Sequence, residues 1–153
     1  MTFGWGLGLN IYGYDKIPMT LPSGEATTGK LPFKLRLEQK ARDIAEFCGY
    51  SQGMCYSFES PKVFDKLMLA EDDVLRQAIT IANPLGEDFS IMRTVPLNGI
   101  LTSLATNYNR RNKDVRLYEL GNVYLPKTLP LTELPDERMQ FTLGFYGDGD
   151  FFT

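Results

Sequence analysis

"VRLYELGNVY", residues 115–124, and "MQFTLGFY", residues 139–146, decide the fold between them. The first is apolar on both sides of its alternation, as a strand in the middle of a sheet is. In the second, Met139, Phe141, Leu143 and Phe145 share one face, while Gln140 and Thr142 take the other. Two strands in succession favour antiparallel pairing, and the helical patterns before them make the class α+β.

Upstream of this pair, Leu97, Ile100, Leu101, Leu104, Ala105 and Tyr108 form an i, i+3, i+4, i+7 stripe, which predicts a helix starting near Pro96. "AITIA", 78–82, reads as a strand that stops at Asn83-Pro84. "SPKVFDKLM", 60–68, reads as a short helix with Ser60 as its cap and Pro61 in its first position. "MCYSF", 54–58, reads as a strand. A longer helix spans about 32–48, with Pro32 in its first turn and Leu37, Ala41, Ile44, Ala45 and Cys48 on one face. Gly49 is its natural stop. The expected order is therefore helix, strand, helix, strand, helix, strand, strand, in an antiparallel sheet flanked by helices.

Residues 11–29, "IYGYDKIPMTLPSGEATTG", are rich in turn formers and read as a linker between domains. The expected division is a segment 1–29, non-native at its start or the tail of a small preceding domain, and a domain 30–153. "DGDFFT" follows directly on a strand and reads as truncation inside a larger domain.

With 153 residues the chain is long enough to bury a core, and no run approaches the roughly 18 apolar residues of a membrane span. "MTFGWGLGLN" lacks the basic start of a secretory signal, so a cytoplasmic protein with no membrane partner is expected. A net charge of −3 argues against a free-standing nucleic-acid binder. The one basic cluster, Arg110, Arg111, Lys113 and Arg116, begins at a helix end, where cations offset the dipole.

The chain contains no histidine, which removes Ser-His and Cys-His nucleophiles, histidine-ligated zinc and a histidine acid or base. Cys48 and Cys55 read as reduced, partly buried thiols. Glu87 and Asp88 follow a glycine and are most simply solvated or capping, and adjacent strand residues would face opposite ways. Asp148 and Asp150 lack the further ligands and closing Glu of a calcium loop. Arg93, between Ile91-Met92 and a helix start, is expected to be partly buried and so to need a carboxylate or carbonyl. Glu119 on the central strand is the candidate. A structural ion pair is the favoured reading.

"IYGYDKIPMTLPSG" (11–24), "EFCGYSQGMCYSF" (46–58), "ANPLGEDFSIMRTVPLNGIL" (82–101) and "VRLYELGNVYLP" (115–126) resemble, in order and spacing, the beta chain of bacterial phenylalanine–tRNA ligase. The resemblance covers nearly everything from Leu9 to Tyr146. It implies the antiparallel catalytic-like fold of class II aminoacyl-tRNA ligases in a copy that does no chemistry. Catalysis would belong to a partner alpha chain in an α2β2 enzyme. For that whole enzyme it implies ATP and magnesium, with tRNA held by other domains. Leu125 and Pro126 stand where the resemblance would put a phosphate-binding arginine and its acidic companion. Leucine has no donor for a phosphate oxygen, and proline lacks even the backbone N–H. The acidic, magnesium-ligating helix expected upstream is replaced by "MTFGWGLGLN".

No catalytic, cofactor-binding or metal-ligating residue is therefore assigned. Arg93, Glu119, Asn83 and Pro84 are the candidate structural or interface residues. The alternative is a free-standing small-molecule-binding enzyme on the same fold.

Overall fold

The computed structural model describes residues 13–16, 18–21, 23, 24 and 28–147, in two compact units, 1–30 and 31–153. In the first unit, Tyr14–Lys16 form one 3₁₀ turn, with the Lys16 N–H donating to the Gly13 carbonyl at 3.3 Å. Residues 1–10 and the acids Asp148 and Asp150 lie outside the described residues.

The second unit has helices α1 (Phe33–Phe47), α2 (Val63–Lys66) and α3 (Leu97–Asn109). Its strands are β1 (Ser51–Gln52), β2 (Phe58–Glu59), β3 (Ile91–Met92), β4 (Val115–Leu125) and β5 (Asp136–Tyr146). Pro32 sits at the N-cap of α1 in an extended conformation, one residue ahead of the expected first turn. Gly49 ends the helix at φ +81°, its N–H donating to the Glu46 carbonyl at 2.9 Å. Only a residue without a Cβ takes that left-handed corner freely.

β4 and β5 pair antiparallel over their whole length, with Glu119 opposite Thr142 and Leu120 opposite Phe141. The sheet is nevertheless mixed, which corrects the all-antiparallel expectation. β1 runs parallel to β4, Ser51 opposite Leu117 and Gln52 opposite Tyr118. Parallel neighbours need a long crossover, and the chain between β1 and β4, including α3, supplies it. β2 and β3 form a separate antiparallel pair, Phe58 opposite Met92 and Glu59 opposite Ile91.

Two expected strands are also corrected. Of 54–58 only Phe58 lies in a strand, because the paired stretch is Phe58–Glu59. Residues 78–82 make one bridge, Thr80 to Ile91, beside an Ile81 N–H bond to Ser90 O at 2.9 Å. The short helix starts at Val63. Ser60 Oγ accepts the Lys62 N–H at a long 3.4 Å.

α1 and α3 cover opposite faces of the sheet. Tyr118, opposite Leu143, is fully buried beneath α1, and its hydroxyl donates to Glu46 Oε1 at 2.8 Å. On the other face a side chain at Gly144 would run into Ile100 and Leu104 of α3. Ile100, Tyr118 and Val123 are buried, and Val63, Phe64 and Ile91 form a smaller core with Leu67, Leu69 and Ala78. Among the described residues no helix is long and apolar enough to cross a membrane.

The expected stripe of α1 is only partly inward. Ala45 is buried and Ala41 half-buried, whereas Leu37, Ile44 and Cys48 are exposed. The faces of β5 differ from expectation in the same way. Phe141, Leu143 and Phe145 are about half exposed, and Thr142, on the face read as polar, is buried.

Candidate functional site

The chemistry-bearing side chains gather between β4, the loop after β1 and the start of α3. Arg93 follows β3 directly, and two backbone bonds fix it there. Its N–H donates to Ser57 O at 2.9 Å, and its carbonyl accepts from the Tyr124 N–H at 3.0 Å. The side chain, 2% exposed as a residue, points under the sheet. Nη1 donates to Glu119 Oε1 at 2.9 Å and Nε donates to the Asn122 carbonyl at 2.7 Å. Glu119 Oε1 also accepts from the Cys55 N–H at 3.3 Å, while Oε2 is buried without a hydrogen-bond partner.

Backbone shape makes room for this pair. A Cβ at Gly121 would collide with the Arg93 guanidinium and lie 2.8 Å from Glu119 Oε1. A Cβ at Gly99, in the first turn of α3, would lie 2.6 Å from Cys55 Sγ. Glycine at both positions lets β4 and α3 close onto the charged pair.

A second buried carboxylate lies beside the first. Glu59, at the end of β2, accepts a hydrogen bond from Asn98 Nδ2 at 3.1 Å. Burial raises its pKa above the ordinary 4.5, although the Asn98 bond and the Arg93 charge oppose the shift. Burial, followed by the nearby Glu119 charge, pushes the Cys55 thiol up to about 11. At neutral pH Cys55 is therefore an un-ionised thiol and a poor nucleophile.

Arg93 and Glu119 are thus brought together. Asn83 and Pro84 are not part of the cluster and lie in an exposed bend after the Thr80 bridge. Glu87 and Asp88 are exposed in a 3₁₀ turn, Glu87–Phe89. Glu59, Asn98 and Cys55 were not expected here. Glu59 and Asn98 are 39 residues apart and carry no shared local pattern. Leu125 closes β4 opposite Asp136, with Pro126 next in the chain. Among the described residues no three His, Cys, Asp or Glu side chains converge as a metal ion would require.

What this arrangement can do chemically follows from where its cation points. Arg93 satisfies a carboxylate and a carbonyl inside the fold and is not among the residues lining the adjacent cavity. It orients β3 against β4, and a negative charge approaching from that cavity would meet carboxylates.

Residues 17–151 match the family described as the phenylalanyl tRNA synthetase beta chain CLM domain. The phenylalanine–tRNA ligase beta subunit of Clostridium acetobutylicum is 43% identical over 143 residues, 93% of this chain and 18% of its own length. That of Clostridium tetani is 41% identical over 143 residues, 94% of this chain and 18% of its own length. That of Geobacter metallireducens is 40% identical over 114 residues, 74% of this chain and 14% of its own length. The chain thus spans less than a fifth of the length of the curated relatives it matches.

Proposed function

The chain belongs to the phenylalanyl tRNA synthetase beta chain CLM domain family, and from that premise we propose that it is a non-catalytic assembly domain of a phenylalanine–tRNA ligase beta subunit. On this reading residues 30–153 form a class II synthetase-like domain, and residues 1–29 lead into it. Aminoacylation, with its ATP and magnesium, takes place on a partner alpha chain in a cytoplasmic α2β2 enzyme, and other domains hold the tRNA.

One observation carries the proposal. Arg93, the cation beside the cluster of buried carboxylates, is itself buried and already bound to Glu119 and to the Asn122 carbonyl. Stabilising phosphoryl transfer needs donors aimed at the developing charge. At the end of β4, Leu125 and Pro126 offer none. Arg93 and Glu119 then act as a structural clamp between β3 and β4, and Asn83 and Pro84 as surface available to a neighbour. The apolar, exposed side of α1, with Phe33 and Phe47, supports an assembly role.

The test pairs two measurements. Co-expression with the alpha chain of the same organism should yield a complex whose mass, by light scattering, contains both chains. Titration of ATP into the isolated chain should give no binding heat. Micromolar ATP affinity would overturn the non-catalytic reading, and failure to form the complex would overturn the assembly reading.

A further inference from the structure

A cavity of about 270 Å³ opens between segment 54–59, the first turns of α3 and Phe89. Its walls are of two kinds. Tyr56, Phe58 and Phe89 supply aromatic surface, and the Tyr56 and Phe89 rings meet edge to face at 5.8 Å between centroids. Glu59, Asn98 and Thr102 supply the polar side. Glu59 is only 6% exposed as a residue, and the bond from Asn98 is the one hydrogen bond to its carboxylate among the described residues.

The charges around this cavity do not balance. Among the described residues, Glu59 and Glu119 are two buried carboxylates, and Arg93, bonded to Glu119, is the one buried cation. Lys66 also acts on Glu59, but it is exposed on α2, where water screens it. Glu119 Oε2, unpartnered and buried, lies 3.9 Å from the position a Gly99 Cβ would take, and Gly99 lines the cavity. An uncompensated charge in so dry a place is costly and is met either by a proton or by a cation. Burial of Glu59 favours the proton where no cation is near.

The cavity's chemistry selects the kind of cation. A hard metal ion asks for six or more oxygens, whereas an organic ammonium is content with one carboxylate and the negative faces of aromatic rings. Its apolar tail would also exclude water from the remaining volume.

We propose that this cavity binds a small organic ammonium, with its cationic head against Glu59 and a short apolar tail among Tyr56, Phe58 and Phe89. The site is independent of the assembly role and needs no reaction.

The experiment titrates n-butylammonium chloride and, separately, n-butanol into the ¹⁵N-labelled 153-residue chain at constant ionic strength, following backbone amide shifts. The amine should give saturable shifts at Gly99 and Thr102, and the alcohol none. Glu59→Gln keeps the acceptor for Asn98 and removes the charge, so amine affinity should fall about 10- to 100-fold, as for loss of a charged hydrogen bond. Thr102→Met, at an exposed rim position, should block the cavity and abolish binding. Equal response to amine and alcohol, or unchanged affinity in Glu59→Gln, would overturn the proposal. If Glu59→Gln does not fold, Thr102→Met decides, because amine binding that survives a filled mouth also overturns it.

Discussion

The two faces of the sheet are built on different terms. On the α3 face the backbones approach so closely that a Cβ at Gly99 or Gly144 would overlap a neighbouring side chain. That side also holds buried Thr142 and the Arg93–Glu119 pair. On the α1 face the helix stands off. A groove of about 370 Å³ runs between Leu37, Ala41, Leu120, Met139 and Phe141. Phe47 is 94% exposed, and Phe141, Leu143 and Phe145 are about half exposed. The α3 face is tightly packed where it meets the sheet, although Leu97, Leu101 and Tyr108 on its outer side are exposed, and the α1 face leaves apolar side chains exposed side by side on the sheet as well as on the helix. The difference predicts a sharp contrast in what each face tolerates.

The largest effect should come from the charged pair. Arg93→Ala leaves Glu119 buried and unpaired, and should lower unfolding free energy by ~3–5 kcal/mol in urea melts. Arg93→Met combined with Glu119→Leu should cost much less than either single change, since no lone charge remains. A double variant as unstable as the singles would mean that the Asn122 and Cys55 bonds, and not the charge balance, hold this corner. Next in size, Gly144→Ala should cost ~1–3 kcal/mol, because the new methyl must displace Ile100 or Leu104 from a packed face. A neutral Gly144→Ala would show that α3 can slide and that this face is not closed.

Glu59 should give a smaller effect with a definite sign. Its folded-state pKa is raised from 4.5, chiefly by burial, so the protonated form is the one the fold favours. Its contribution to stability is fully present below the unfolded value and is lost as pH rises through the folded one. The melting temperature of Glu59→Gln relative to the parent chain should therefore climb as pH is raised above about 4.5. A gap that narrows with rising pH would place net cation, not net anion, in the cluster.

The same contrast explains what was legible in the sequence. α3 and β4 announce themselves because their apolar patterns run over three turns and eleven residues, although of the α3 stripe only Ile100 is buried and Leu97, Leu101 and Tyr108 are exposed. β1, β2 and β3 have two residues each, too few for any period to register. β5 was legible as a strand, but its packed side was misjudged. Thr142 and Gly144 carry no hydrophobic signal, and it is the missing side chain of Gly144 that admits Ile100 and Leu104. The Arg93–Glu119 pair could be read because an arginine set among apolar residues must find an acceptor. The Glu59–Asn98 bond could not, since a polar residue beside an aromatic is ordinary anywhere on a surface. α1 misled for the opposite reason. Its apolar residues were read as sharing one face, yet much of that face, Leu37 and Ile44 included, remains outside.

That outer stripe supports the smallest stability prediction and the most informative one about assembly. Leu37→Gln with Phe47→Gln removes exposed apolar surface while leaving Ala45 and the Tyr118–Glu46 bond in place. In the isolated chain the change in unfolding free energy should stay within ~0.5 kcal/mol, as for surface positions generally. Self-association, measured as mass against concentration by light scattering, should fall, and capture of the alpha chain should weaken with it. If stability instead drops as far as in Gly144→Ala, the stripe is core after all and the α1 face is as closed as the other. If stability and association are both untouched, this face is not what a partner covers. The β5 edge beside Phe141 and Leu143, outermost in the sheet among the described residues, would then be the next surface to alter, because a strand edge next to apolar side chains is the other ready template for contact.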